Sequence, residues 1–106
     1  MGNSEHILRE LTLRSISDDY ETFERVFRDV CLWANERGII ADRASTLATL
    51  EGLIGNGYAQ AYILSSRPPE SVLPVTYARD RVGELWYYLT PEGKRLVDEM
   101  ISDGKW

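Results

Sequence analysis

The stretch 85–97 constrains the fold more than any other, because it contains a strand and a helix with a defined boundary between them. Consecutive aromatic residues at 86–88 favour a β-strand. Thr90 is a suitable N-cap, and Pro91 fits the first helical position, where its missing N–H costs nothing. The sequence therefore predicts a strand that runs directly into a closing helix at about 91–102.

Composition limits the size and class of the fold. The 106 residues are 43% hydrophobic, which is enough for one domain with a single core. The net charge of −5 and the pI near 4.8 argue against a polyanion-binding surface over the whole molecule. A single cysteine, the lack of a secretory signal and the lack of an apolar run of roughly 18 residues predict a cytoplasmic protein without a membrane segment.

A helix is predicted near the N-terminus. Ser17 is a candidate N-cap, acidic residues follow it in the first turn, and apolar residues recur at helical spacing from Tyr20 onward. This helix is predicted to span 18–37, with Gly38 as its stop. The preceding residues, 1–16, are an N-terminal arm that is either a short helix or extended.

A second helix and a strand are predicted in the middle of the chain. The helix begins after Asp42, presents leucines to the core and ends before Gly57, where glycine readily takes the left-handed conformation that closes a helix. Residues 58–64 alternate weakly and predict a strand. Prolines interrupt 65–84, which is predicted to be a long loop, either mobile or with a helical turn near 77–82.

Two parts of the chain resemble the winged-helix superfamily. Leu47 to Tyr62 resembles its recognition helix, "leu-x-x-leu-x-x-x-gly-tyr" turn and first wing strand, and 85–97 resembles its "phe-x-leu-thr-pro-x-gly" close. The resemblance implies one winged-helix-like α+β domain with N-terminal helices, a small antiparallel β-wing and a C-terminal helix packed on the first helix. Only 39–43 remain for a helix before the recognition helix, so that helix is expected to be a turn or absent.

In winged-helix regulators, the recognition helix and the wing contact DNA. Direct readout uses Arg, Lys, Asn or Gln side chains on base edges, with further cations on phosphates. Acidic residues at 51, 70, 80 and 84 oppose such contacts here. The candidate DNA contacts in the 42–56 helix and the wing are Arg43, Thr46, Thr49, Asn56, Arg67, Arg79 and Arg81.

A protein interface is the other functional possibility that the resemblance supports, since some winged-helix domains dimerise or bind protein partners. Aromatic residues are enriched in interface cores. A strand at 86–88 must send its first and third rings to one face and its second to the other. The candidate interface residues are Trp33, Trp86, Tyr87, Tyr88 and Trp106.

Residues that could support catalysis are sparse. His6 is the sole histidine, Cys31 falls on the apolar side of the first predicted helix, and no phosphate-binding loop or metal-ligand spacing is present. The sequence predicts no enzyme, no cofactor, no metal and no small-molecule ligand. It predicts an interaction or regulatory module that binds a protein or forms a homodimer, with a DNA-binding transcriptional regulator as the alternative.

Overall fold

The computed structural model describes residues 2–65 and 71–104, and over these residues the fold is α+β, as predicted. The elements in chain order are α1 (Gly2–Ser15), β1 (Glu21–Thr22), α2 (Phe23–Glu36), α3 (Arg43–Gly55), β2 (Ala59–Ser65), β3 (Ser71–Val75), a 3₁₀ turn (Arg79–Arg81), β4 (Trp86–Leu89) and α4 (Pro91–Ser102). The four strands form one antiparallel sheet in the order β1-β4-β2-β3.

The core lies between the first three helices and one face of the sheet. Helices α1, α2 and α3 contact one another, and α3 also contacts β2. Along β2 and β4, buried residues alternate with partly exposed ones, so each strand has one face toward the core. The buried residues of these strands are Ala59, Ala61, Tyr87 and Leu89, and they belong to the same apolar cluster as the helix residues.

The start of the helix predicted over 18–37 is wrong by five residues. Helix α2 begins at Phe23, and its N-cap is Thr22, whose hydroxyl accepts a hydrogen bond from the Arg25 backbone N–H. The acidic residues after Ser17 belong to a connection, and Glu21 and Thr22 pair with β4. Pairing with a distant strand therefore overrides a local pattern that resembles a helix start.

The expectation that the helix before 43–55 is reduced or absent is also wrong. The predicted N-terminal arm is helix α1, whose buried residues include Leu8 and Leu11. Helix α2 is therefore the second helix of the chain, and 37–42 connects it to α3. The expectation was wrong because the N-terminal arm supplies the first of the packed helices, which leaves α2 as the helix before α3.

The segment predicted as a long loop, 65–84, contains a strand. β3 pairs with β2 in a hairpin, with Pro74 opposite Tyr62. Proline is tolerated there because β3 is an edge strand, which leaves one of its sides without ladder hydrogen bonds. The 3₁₀ turn at Arg79–Arg81 confirms the predicted alternative of a helical turn in this region.

The strand-to-helix corner has the predicted form. Thr90 is the N-cap of α4: its hydroxyl accepts the Gly93 N–H at 3.0 Å and donates to the Gly57 carbonyl at 2.5 Å. Gly93 packs so closely on the Tyr58 carbonyl that a Cβ would lie 2.0 Å from the oxygen. Contacts of α4 are chiefly with β4, so the predicted packing of this helix on the first predicted helix is not the main one.

Candidate interaction surface

The face of the sheet that points away from the core carries aromatic side chains. In antiparallel strands, directly opposed residues lie on the same face, so the register places Tyr62 beside Trp86 and Gln60 beside Tyr88. The pairs Thr22 with Trp86, Tyr62 with Pro74 and Leu64 with Val72 extend this surface. We call it the outer sheet face; it consists of Thr22, Gln60, Tyr62, Leu64, Val72, Pro74, Trp86 and Tyr88.

Tyr20 packs its ring onto the outer sheet face. Its centroid lies 5.0 Å from that of Tyr62 in an edge-to-face arrangement and 4.8 Å from that of Tyr88. The Lys94 ammonium lies over the Tyr88 ring, 4.9 Å from its centroid. Burial of the Tyr62 hydroxyl raises its pKa, and the neighbouring Tyr20 has a smaller effect in the same direction.

The outer sheet face retains accessible apolar surface. Tyr20, Tyr62, Trp86 and Tyr88 are each partly exposed, and Leu64 is 42% exposed. An apolar surface of several adjacent large side chains is typical of a contact site, whereas single exposed apolar residues are ordinary. The surface therefore has the composition of an interface core, with aromatic rings and few charges.

The structure places the predicted interface residues differently from one another. Trp86 and Tyr88 share the outer sheet face, as strand alternation predicts. Tyr87 is a correction: it is fully buried, and its hydroxyl donates to the Val82 carbonyl at 2.9 Å, so it cannot contact a partner. Trp33 lies on α2, under the Arg14 guanidinium at 5.4 Å and apart from the sheet. Trp106 lies outside the described residues.

Two functional candidates, Tyr20 and Tyr62, were missed. The helical spacing predicts Tyr20 on the apolar face of a helix, and only its ring contacts with Tyr62 and Tyr88 show that it packs on the sheet. Tyr62 could have been found, because Gln60, Tyr62 and Leu64 alternate with residues of the core face along the predicted strand.

Arg43, the first candidate DNA contact, is engaged within the protein. Its guanidinium pairs with both carboxylate oxygens of Glu24 and lies over the rings of Phe23 and Phe27, at 5.0 and 5.6 Å from their centroids. The Arg43 hydrogen bond lowers the pKa of Glu24, and the pKa of Arg43 is raised in turn. Arg43 thus joins α3 to α2, and its charge is offset by Glu24.

The arginines that follow β3 are paired in the same way. Arg79 forms two hydrogen bonds with the Glu51 carboxylate on α3, which also accepts from the Tyr77 hydroxyl at 2.8 Å. Arg81 pairs with Glu84 at 3.1 Å. Glu51 was expected to repel phosphate; instead it neutralises Arg79. Arg67 lies outside the described residues.

The polar candidates on α3 differ in their burial and in their contacts. Thr46 is fully buried and donates to the Asp42 carbonyl at 2.8 Å, which excludes it as a DNA contact in this conformation. Thr49 donates to the Ser45 carbonyl at 2.8 Å, and Asn56 is the exposed C-cap residue. Among the described residues, the three candidate arginines are thus each paired with a carboxylate, and Thr46 is buried.

The residues considered for catalysis lie on different helices. His6 is exposed on α1, and Cys31 is on α2, where its thiol donates to the Ala41 carbonyl at 3.4 Å. Burial, followed by the nearby Asp42 carboxylate, raises the pKa of the Cys31 thiol, which disfavours the reactive thiolate. Within 2–65 and 71–104, no three metal-ligating side chains are grouped where they could hold an ion.

The chain matches no protein-family model, no curated protein and no solved structure in comparisons with known proteins. None of the helices described is both long enough and apolar enough to cross a membrane.

Proposed function

We propose that this protein is a non-enzymatic, winged-helix-like interaction module that forms a homodimer through the outer sheet face. The observation that carries the proposal is the partly exposed cluster of Tyr62, Trp86 and Tyr88, with Leu64 beside it. Burying such side chains against a partner removes apolar surface from water, which lowers the free energy by about 25 cal/mol per Å² of buried area. Aromatic residues also supply large contact area at small entropic cost.

The distribution of charge favours binding of a second copy of the chain at this face rather than at another part of the surface. A protein of net charge −5 is repelled by its own copy wherever acidic side chains would meet. The residues of the outer sheet face are uncharged, and the positive charge of Lys94 lies over the Tyr88 ring. A two-fold axis through this face would bring identical uncharged aromatic patches together.

DNA binding is the second candidate, and the order of elements favours it. Helix α3 follows α2 after a short connection and is followed by the β2–β3 hairpin, which is the order of recognition helix and wing implied by the resemblance. The pairing of Arg43, Arg79 and Arg81 with carboxylates weighs against it, because phosphate contacts would have to compete with Glu24, Glu51 and Glu84.

Sedimentation of the purified protein, alone and with a random-sequence DNA duplex at low salt, tests the two functions together. We expect a dimer that dissociates on dilution and does not co-sediment with the duplex. A protein that remains monomeric at concentrations of about 100 μM would contradict homodimerisation, since that lies far above the Kd of specific interfaces. Co-sedimentation that weakens steeply as salt rises would instead favour the DNA-binding candidate.

A further inference from the structure

A groove lined by apolar, polar and charged residues lies between α1 and α3, on the helical side of the molecule. Its volume is about 380 Å³, within the range of roughly 300–1,000 Å³ that is usual for small-molecule sites. Its lining residues are Glu5, Leu8, Arg9, Ser45, Ala48, Thr49, Gly52, Leu53 and Asn56. Two of them, Thr49 and Asn56, were candidate DNA contacts.

The α1 wall presents two opposite charges one helical turn apart. Side chains at i and i+4 lie on the same face of a helix, about 5–6 Å apart at Cβ, so Glu5 and Arg9 face the groove together. Glu5 forms no ion pair with another described residue, and the described contact of Arg9 is with the ring of Tyr58, at 5.4 Å. In contrast, Arg37, Arg43 and Arg79 each pair with a carboxylate.

The α3 wall and the floor supply the other features of a small site. Asn56 forms no side-chain hydrogen bond with another described residue, so its amide can donate and accept toward the groove. The hydroxyl oxygen of Thr49 can still accept, since its proton goes to Ser45. Leu8 and Leu53 are buried apolar lining residues, and Ala48 and Gly52 leave the space open.

We propose that this groove binds a free α-amino acid. The carboxylate of the ligand would accept hydrogen bonds from Arg9, whose planar guanidinium suits bidentate contact, and the ammonium group would pair with Glu5. Asn56 would bond the same polar end, and Leu8 and Leu53 would contact the ligand side chain. A ligand that carries both charges on adjacent groups matches a wall that carries both charges one turn apart.

Calorimetric titration with each of the common free α-amino acids at about 10 mM tests the proposal, since this concentration saturates a site of Kd near 0.1 mM. We expect saturable binding of at least one amino acid and a loss of more than tenfold in affinity for its N-acetyl and its carboxamide derivatives. Failure of every amino acid to bind would overturn the proposal. Binding of the two blocked derivatives as tight as that of the free amino acid would also overturn it, because recognition would then not depend on the two charges.

Variants assign the binding to the groove. Glu5→Gln and Arg9→Gln should each weaken binding at least tenfold, whereas Arg28→Gln, at an exposed position of α2 outside the groove, should leave it unchanged. Gly52→Leu should abolish binding by filling the groove. Gly55→Leu is its matched control, because a Cβ meets nothing within 4 Å at either glycine and Gly55 is not a lining residue.

Binding that survives Gly52→Leu in a variant with an unchanged circular dichroism spectrum would place the site elsewhere and overturn the proposal. The same holds if Glu5→Gln binds as tightly as the wild type. The groove shares no residue with the outer sheet face, so failure of this proposal would leave homodimerisation untouched, and a monomeric protein could still bind an amino acid.

Discussion

Gly93 is the residue at which an added methyl group is tolerated least. A Cβ there would lie 2.0 Å from the Tyr58 carbonyl oxygen and 3.2 Å from Leu89 Cδ2. Because that oxygen also accepts the Thr90 N–H at 3.1 Å, relief of the clash would disturb the strand-to-helix corner. We expect Gly93→Ala to lower the free energy of unfolding by about 3 kcal/mol, at the upper end of overpacking costs.

The control for this substitution is Gly52→Ala, also within a helix. Its Cβ would meet nothing within 4 Å, so we expect a gain of about 0.5–1 kcal/mol from helix propensity. Urea unfolding followed by circular dichroism measures both variants. A Gly93→Ala protein as stable as the wild type would show that α4 does not approach Tyr58 so closely.

Glu51 makes stability depend on acid pH. The Arg79 hydrogen bond, aided by that of Tyr77, lowers its pKa below the ordinary value of about 4.3. A carboxyl group with a lowered folded pKa stabilises the protein above its unfolded pKa, and this contribution is lost as pH falls through the folded pKa. As the pH falls from 7 to below the folded pKa of Glu51, the free energy of unfolding should therefore decrease less in Glu51→Gln than in the wild type.

Thermal unfolding across this pH range measures the effect. Glu36→Gln, at an exposed position of α2, is the control and should follow the wild-type pH dependence. Parallel curves for wild type and Glu51→Gln would mean that the contacts of Glu51 with Arg79 and Tyr77 contribute nothing to folding.

At the scale of elements, the sign of one stability change shows where α2 begins. As the N-cap, Thr22 accepts from the Arg25 N–H at 3.3 Å, so Thr22→Ala should cost about 1 kcal/mol. In a helix that began at residue 18, the same change would be stabilising, because alanine is the better helix former. Chemical unfolding decides between the two, and a variant more stable than the wild type would refute the cap.

Elements with a complete local signal were predictable from the sequence. Asp42 begins α3 with a capping box, Gly57 adopts a positive φ of 81°, and α4 has the predicted Thr90 cap followed by Pro91. In each case the deciding contacts lie within a few residues in the chain. The closing helix and the α3–β2 turn therefore follow from propensity and capping alone.

Elements that depend on distant partners were not predictable in this way. Strand β1 exists because Glu21 and Thr22 pair with β4, and Tyr20 contacts Tyr62 and Tyr88. Strand β3 contains Pro74, which predicts an interruption unless the strand is known to lie at an edge. The candidate interaction surface includes residues of both strands, so the sequence indicates only part of it: Trp86 and Tyr88, together with Tyr62 through the alternation along β2.

At the scale of the whole molecule, positive charge is used chiefly for internal contacts. Arg37 pairs with Glu10 at 2.6 Å and links the residue after α2 to α1, while Arg43 links α3 to α2 and Arg79 links α3 to the turn before β4. Such pairs between partly exposed side chains each contribute little stability, about 0–1 kcal/mol. Their greater consequence is that an acidic protein keeps few of its described cations available for phosphate.

The most direct test of homodimerisation through the outer sheet face compares two exposed leucines by sedimentation equilibrium. Leu64 lies on that face and is 42% exposed, while Leu32 lies on α2 and is 57% exposed. We expect Leu64→Asp to be monomeric, because a carboxylate would be buried at the interface, and Leu32→Asp to remain dimeric. A Leu64→Asp protein that dimerises as tightly as the wild type would contradict the account.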